Sequence, residues 1–184
     1  MRERLLSLLR KHSVRRGAPD EFLLASGRRS DFFVNCKAVV LRSEAHHLVG
    51  HLLLDALEGF EPLDAVGGVA IGACPLVSAV STIAHSRGRA LNAFYIRRER
   101  KDHGMEQKVD GIEGVPAGGR VAMVEDVLTT GGSLGRGIEE ARGMGLVVVG
   151  AAVLVDRMEG GREAIEAMGV PLVSLFTRRD FMDG

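Results

Sequence analysis

The sequence has few of the features that mark several common protein classes. Its 184 residues carry 24 Lys and Arg against 24 Asp and Glu, so the net charge favours neither a nucleic-acid nor a membrane partner. The longest apolar runs are far shorter than the roughly 20 residues that span a membrane. Cys36 and Cys74 have neither CxxC nor metal-ligand spacing, which indicates reduced thiols in a cytoplasmic protein.

Motifs of several nucleotide-dependent enzymes are also missing. Neither the Walker sequence GxxxxGK[ST] nor GxGxxG occurs, which argues against an ordinary nucleoside-triphosphatase or a dinucleotide dehydrogenase. Residues 1–12 have leucines spaced for a short amphipathic helix and lack the apolar run of a signal peptide. His47 and His51 lie one helical turn apart without a third ligand nearby, so we interpret them as non-metal residues.

Strands and helices alternate along most of the chain. After turns and short strands at 17–41 and a helix at 43–57, apolar strands are predicted at 65–71, 90–96, from 121, 146–155 and 171–175, with helices at 75–86, 133–144 and 163–168. Continuous apolar strands between helices predict an α/β fold with a parallel sheet covered on both faces. The length fits one domain, residues 1–184.

The most informative stretch is residues 121–133. Apolar strand residues lead into two carboxylates, Glu125 and Asp126, and then into a loop of threonine, glycine and serine that begins a helix. The carboxyl edge of an open α/β sheet is where ligands bind, and a helix N-terminus binds anions. Carboxylates bind ribose hydroxyls or a metal ion, and here they lie next to a predicted phosphate site. This combination indicates a phosphorylated sugar as the ligand.

A long polar interval at 97–119 interrupts the alternation. It exceeds the usual connection of about 4–6 residues, and its first part, 97–104, contains four fixed cations and a histidine. Such a charge run is often only a solvated face. Its position between two strands of a nucleotide-type fold, with glycines that permit opening, predicts a lid whose cations stabilise a leaving group.

Three further features have two interpretations each. The glycine-rich turn at 67–75 either packs tightly or offers backbone N–H groups to a diphosphate. Phe32 and Phe33 belong either to the core or to the aromatic face of a site for a flat heterocycle. Arg157, at the end of a predicted strand, either lies at a surface or binds a carboxylate through its planar fork.

Residues 124–133 resemble the phosphoribosyl-pyrophosphate motif of type I phosphoribosyltransferases. The segments 26–33, 97–104 and 155–157 resemble segments of the orotate phosphoribosyltransferase family, and they occur in the same order along the chain. The resemblance implies a Rossmann-like core with a small N-terminal hood at about 1–41 and a flexible lid loop at about 97–119.

The resemblance also implies roles for individual residues. Glu125 and Asp126 would hold the ribose 2- and 3-hydroxyls, Arg157 would hold the orotate carboxylate, and Phe32 and Phe33 would form the base pocket. The 5-phosphate would be held by Thr129, Thr130, Gly131, Gly132 and Ser133, with Thr129 also near the orotate ring. Val127 and Leu128 would be further substrate-binding residues.

The lid cations would contact pyrophosphate. In the implied homodimer, Arg97, Lys101 and His103 would reach into the neighbouring subunit's site, while Arg98 would act in its own subunit. Arg97, Lys101, His103 and Asp126 are therefore the expected catalytic residues. The implied cofactor is Mg²⁺, held mainly by substrate oxygens and not by a protein metal site.

The implied activity is transfer of ribose 5-phosphate from phosphoribosyl pyrophosphate to orotate in pyrimidine biosynthesis. Two alternatives stay open: the same chemistry on a purine or on uracil, and a non-catalytic nucleotide-sensing regulator on this fold. Some relatives carry lysine where this chain has Ala25 and Gly72. The resemblance therefore does not assign ground-state contacts to the diphosphate at those two positions. The partners expected are the two small-molecule substrates, with no nucleic acid and no membrane.

Overall fold

A computed structural model describes residues 1–18, 21–23, 29–97 and 108–182. The elements, in chain order, are α1 (Arg2–His12), β1 (Val14–Arg16), β2 (Phe22–Leu23), β3 (Arg29–Ser30), β4 (Phe32–Val34), α2 (Lys37–Val40), α3 (Ser43–Leu57), β5 (Ala65–Val69), α4 (Cys74–Ser86), β6 (Asn92–Ile96), β7 (Val109–Asp110), β8 (Arg120–Leu128), α5 (Gly132–Gly143), β9 (Val147–Asp156), α6 (Gly161–Glu166), β10 (Leu172–Thr177) and α7 (Arg179–Met182). Within these described ranges, no helix is both long and apolar enough to cross a membrane.

The central sheet has six strands in the order β10-β9-β8-β5-β6-β7. Neighbours among the first five strands are parallel, which confirms the predicted α/β fold, and the short β7 adds an antiparallel edge. The chain passes from β5 to β6 on one side of β5 and then crosses to β8 on the other side. This reversal is a topological switch point, the place where open α/β sheets leave a crevice for ligands.

Helices cover both faces of the sheet because the side chains of its strands alternate between them. On β8, Ala122 and Val124 belong to the core cluster that contains residues of α1, α3 and α4. Val121 and Met123 belong to the second cluster, which contains residues of α5 and α6. The sheet therefore has a buried apolar layer on each side, as continuous apolar strands require.

The boundaries of the elements differ from the sequence-based ones mainly at the carboxyl ends of strands. β5 ends at Val69, two residues earlier than predicted, and residues 70–73 form the turn into α4. β8 continues through both acids to Leu128. The short helices α2 and α7 were not predicted from the sequence.

The N-terminal strands and the C-terminal helix meet beside the carboxyl ends of β9 and β10. β1 pairs with β4 in an antiparallel ribbon. Arg178, just before α7, forms an ion pair with Asp31 at 2.7 Å, and the ring of Phe181 in α7 lies 6.0 Å from the ring of Phe32. These contacts attach the N-terminal region to the last strand of the core.

Candidate active site

The two acids of β8 lie at the switch point. Pairing between β5 and β8 ends at Gly68 and Val124, whereas β8 remains paired with β9 as far as Leu128. Glu125 and Asp126 therefore follow directly after the last residue of β8 that has a partner in β5. Glu125 is buried, with 9% of its surface exposed, and Asp126 is half-buried. Both acids border the crevice in which a ligand is expected.

The turn after β5, residues 70–73, closely approaches the Asp126 carboxylate. A Cβ atom added at Gly72 would lie 2.6 Å from Asp126 Oδ1, nearer than real Cβ contacts allow. The same oxygen accepts a hydrogen bond from the backbone N–H of Val127 at 3.0 Å. The thiol of Cys36 donates to the Asp126 carbonyl, with the sulfur 3.8 Å from the oxygen. Asp126 is thus held by the glycine-rich turn, by the next residue of β8 and by Cys36.

The loop between β8 and α5 has the form of an anion site. Gly131 adopts a positive φ of 82° immediately before α5 begins at Gly132. The first backbone N–H groups of an α-helix have no partner within the helix. The Ser133 hydroxyl is buried and has no hydrogen-bond partner among the described residues. A buried hydroxyl without a partner is costly, and a phosphate oxygen would satisfy it.

The loop that follows β8, residues 129–133 and named the phosphate loop, packs against the start of α6. A Cβ atom at Gly161 would lie 2.6 Å from the Thr129 carbonyl oxygen, so only glycine permits this approach. One strand further on, Arg157 follows the end of β9 and is 3% exposed. The positions of the loop and of Arg157 are therefore linked through the segment 156–161.

Arg157 is buried and is held by several neighbours. Nη2 donates to Ser30 Oγ at 3.0 Å and to the Phe32 carbonyl at 2.8 Å. Nε donates to Glu159 Oε1 at 2.9 Å. The guanidinium also lies over the Phe32 ring, 5.7 Å from its centroid. Arg157 therefore connects the N-terminal strands to the carboxyl edge of the sheet.

The two phenylalanines of β4 have different environments. Phe32 is 1% exposed and belongs to the core, with guanidinium groups of Arg157 and Arg178 near its ring. Phe33 is half-buried, and its ring lies 5.8 Å from that of Phe22. Successive strand residues point to opposite faces, so the two rings cannot share one surface of a pocket. The base-binding role of both remains a prediction, and Phe33 is the more accessible of the two.

Arg97, the first of the predicted lid cations, lies at the base of the interval. Its backbone N–H donates to the Lys108 carbonyl at 2.9 Å, and its Nη2 lies 2.6 Å from Asp110 Oδ2. The hydrogen bond with Asp110 raises the pKa of Arg97 above its ordinary value. Arg97 Nε is buried without a partner among the described residues. The other lid cations, Arg98, Lys101 and His103, lie outside the described residues, as does Ala25.

Two residues that hydrogen-bond to Arg157 through their side chains were not assigned from the sequence. Glu159 forms an ion pair with the buried Arg157, and Ser30 accepts a hydrogen bond from the same guanidinium. Ser30 is within the early segment that resembles the family, but it is 127 positions from Arg157. Only the folded chain shows the contact between Ser30 and Arg157. The short spacing of Arg157 and Glu159 in a loop is a weak sequence signal for their ion pair.

Comparison with known proteins identifies the family. The family model described as phosphoribosyl transferase domain matches residues 43–169. The orotate phosphoribosyltransferase of Sorangium cellulosum is 51% identical over 181 residues, which cover 98% of this chain and 93% of the relative. The chain belongs to the phosphoribosyl transferase family. The resemblance identified from its motifs is thereby confirmed.

Solved structures of orotate phosphoribosyltransferases have the same fold as this phosphoribosyltransferase. The Mycobacterium tuberculosis enzyme in complex with Fe(III) dicitrate superposes with a TM-score of 0.81 at 35% identity, over 98% of both chains. The same enzyme in complex with 5-phospho-α-D-ribosyl 1-diphosphate gives 0.78 at 32% identity, again over 98% of both. The family match contains the acids, the phosphate loop and Arg157, whereas the N-terminal strands and α7 lie outside it.

Proposed function

We propose that this protein is an orotate phosphoribosyltransferase. It transfers the ribose 5-phosphate group of phosphoribosyl pyrophosphate to N1 of orotate, and it releases pyrophosphate, as a step of pyrimidine biosynthesis. The main structural support is the position of Asp126 against the turn 70–73 at the switch point, three residues before the phosphate loop 129–133 begins. Relatives named for this activity that align over nearly the whole chain favour orotate over other bases.

The three parts of the switch point match the three parts of phosphoribosyl pyrophosphate. Glu125 and Asp126 accept hydrogen bonds from the ribose hydroxyls. The backbone N–H groups of 129–133 and the unpaired Ser133 hydroxyl bind the 5-phosphate. The turn 70–73, which contacts Asp126 from the other side, offers backbone N–H groups to the pyrophosphate. Val127 and Leu128 continue β8 between the acids and the loop.

The base is bound between β4 and the end of β9. Arg157 provides the positive charge for the orotate carboxylate, and its contact with the Phe32 carbonyl brings β4 to the same place. Phe33 lies next to Phe32 on β4 and offers the more accessible aromatic ring. Thr129, at the start of the phosphate loop, is half-buried and lies on the path from the phosphate to the base.

The lid acts on the leaving group. Lys101, His103 and Arg97 contact the pyrophosphate in the site of a neighbouring subunit, and Arg98 does so in its own subunit. Arg97, at the base of the lid, is ion-paired with Asp110 of its own chain. Because each site then needs residues from two chains, the active form is a homodimer.

Mg²⁺ is the proposed cofactor. Among the described residues, no three His, Cys, Asp or Glu side chains are placed together to hold an ion. Glu125 and Asp126 nonetheless supply hard carboxylate oxygens beside the ribose position. Mg²⁺ retains waters readily and is bound in many enzymes by one or two carboxylates plus substrate phosphates. We propose that it is held mainly by pyrophosphate and ribose oxygens, where it supplies charge neutralisation for the leaving group.

The protein's part in the reaction is positioning and electrostatic stabilisation. The bond between the ribose C1 atom and the pyrophosphate oxygen breaks as N1 of orotate approaches from the opposite side, through an oxocarbenium-like transition state and without a covalent enzyme intermediate. Glu125, Asp126 and the phosphate loop hold the ribose still between nucleophile and leaving group. The lid cations stabilise the charge that develops on pyrophosphate in a site from which water is excluded.

The chain is proposed to act as one domain, residues 1–184, with the hood at about 1–41 and the lid loop at about 97–119. Its two cysteines, Cys36 and Cys74, are free thiols. Free thiols are typical of a reducing compartment, which supports the cytoplasm as the place of action.

A pyrophosphate-release assay tests the proposal. The purified chain with phosphoribosyl pyrophosphate and Mg²⁺ should release pyrophosphate with orotate and not with adenine, hypoxanthine or uracil. Asp126→Ala should abolish the release, while the matched variant Glu139→Ala, on the exposed side of α5, should retain it. Release with another base but not orotate would point to a different phosphoribosyltransferase. Binding of phosphoribosyl pyrophosphate without release of pyrophosphate in the presence of any of these bases would point to a nucleotide sensor.

A further inference from the structure

The side chain of Glu159 is turned back onto Arg157 by the loop that connects β9 to α6. Asp156 Oδ1 accepts the backbone N–H of Met158 at 2.8 Å, and Met158 has a positive φ of 59°. This tight turn places Glu159 Oε1 2.9 Å from Arg157 Nε. The two side chains are 4% and 18% exposed, so the ion pair is largely shielded from water.

Ser30 holds the other side of the same guanidinium. Its hydroxyl oxygen accepts a hydrogen bond from Arg157 Nη2 at 3.0 Å and another from the backbone N–H of Phe32 at 3.1 Å. The neighbouring Asp31 forms an ion pair with Arg178 at 2.7 Å. Ser30 is therefore held by β4, and its neighbour Asp31 is held by the segment before α7.

These contacts leave one nitrogen of the Arg157 guanidinium, Nη1, for a ligand. Nε donates to Glu159, and the two hydrogens of Nη2 are directed at Ser30 and at the Phe32 carbonyl. Among the described residues, none of the hydrogen bonds of Arg157 uses Nη1. A carboxylate would therefore be bound through Nη1 and not through the two-nitrogen fork that the sequence suggests.

We propose that Glu159, together with Ser30, is a positioning residue that fixes the Arg157 guanidinium so that Nη1 faces the base. It thereby determines the preference for a carboxylated pyrimidine. This inference rests on the proposed function. Without the Glu159 oxygen, the buried Nε–H loses its acceptor and the guanidinium rotates to find another one, because a buried unpaired donor is unfavourable. Glutamine keeps an oxygen at the same distance and should preserve the orientation.

Equilibrium binding of two nucleotides measures the carboxylate contact directly. Orotidine 5-monophosphate carries the carboxylate, and uridine 5-monophosphate is the same molecule without it. The ratio of their Kd values, measured by calorimetry, isolates the carboxylate contact from the phosphate contacts. Wild type should prefer orotidine 5-monophosphate. Glu159→Ala should reduce that preference about tenfold or more, as expected for one charge-assisted hydrogen bond that is lost, with Kd for uridine 5-monophosphate within about twofold.

Three further variants complete the experiment. Glu159→Gln should restore most of the preference, Ser30→Ala should lower it, and Glu163→Ala, which changes an exposed glutamate on α6, should leave it unchanged. An unchanged preference in Glu159→Ala, or a Glu159→Gln variant as defective as the alanine, would overturn the positioning role. Absence of any preference in wild type would instead count against orotate recognition itself, so the two failures are distinguishable.

Discussion

Gly72 lies directly against the carboxylate of Asp126, so that a Cβ atom at position 72 would be 2.6 Å from Oδ1. The two residues come from different strand ends, Gly72 from the turn after β5 and Asp126 from β8. Their contact joins two strand ends at the switch point. It also gives a reason for glycine at position 72, because a side chain here requires the carboxylate to adopt another position.

The first prediction follows from this contact. Gly72→Ala should lower kcat/KM for phosphoribosyl pyrophosphate at least about tenfold, because the new methyl group displaces Asp126 from its position beside the phosphate loop. The folded state should be little affected, since the carboxylate can move away from the methyl group. Steady-state kinetics and a thermal melt measure the two effects. Gly143→Ala, where an added Cβ would meet nothing within 4 Å, is the matched control. Equal kinetics for the two variants would contradict the prediction.

The second prediction concerns the lid. Lys101→Ala should lower kcat by about a hundredfold or more, because a cation that meets the leaving group only as charge develops contributes mainly to the transition state. KM for phosphoribosyl pyrophosphate should change far less. The exposed Lys11 of α1 supplies the control variant, Lys11→Ala, for which wild-type kinetics are expected. An unchanged turnover number for Lys101→Ala would remove that residue from the catalytic set.

The third prediction tests whether two chains share a site. Asp126→Ala and Lys101→Ala chains should each be nearly inactive as homodimers. In dimers formed by co-expression, one site per mixed dimer regains both residues, so random pairing should restore about a quarter of wild-type activity. If Lys101 acts within its own subunit, each site of a mixed dimer lacks one residue. The co-expressed sample would then be no more active than the average of its parents.

The fourth prediction uses the two thiols. Burial raises the pKa of the Cys36 thiol well above its ordinary value, and nearby Asp126 raises it further. Burial also raises the pKa of Cys74, which is only partly enclosed. Because the thiolate is the reactive form, alkylation of Cys74 by iodoacetamide should be slow at pH 7 and accelerate as the pH rises toward and beyond 9, while Cys36 should react only on unfolding.

Peptide mass spectrometry after timed alkylation follows both thiols in one sample. Cys74 is the first residue of α4, directly after the turn 70–73. Phosphoribosyl pyrophosphate with Mg²⁺ should therefore slow its reaction, with urea-unfolded protein as the reference. Equal labelling of Cys36 and Cys74 in the folded protein would contradict the burial of Cys36.

Much of the fold could be predicted from local patterns. The continuous apolar run before Glu125 and the alternation with helices predicted the parallel sheet, because strands buried on both faces are nearly continuous apolar runs. The antiparallel β7 and the helix α7 were missed. A strand of two residues, Val109–Asp110, has no periodicity of its own and depends on pairing with β6. α7 is a single helical turn, whose position depends on contacts such as that of Phe181 with Phe32.

The sequence by itself determined the chemical parts of residues 121–133: acids, then hydroxyls and glycines, then a helix, because these depend only on residue order. It also determined the family, through motifs in a fixed order. Tertiary structure alone decided which parts meet. It brought Gly72 to Asp126 across the switch point and joined Ser30 and Glu159 at Arg157. It also placed Phe32 in the core and left Phe33 more accessible. Such contacts arise from the packing of distant segments, which no local pattern records.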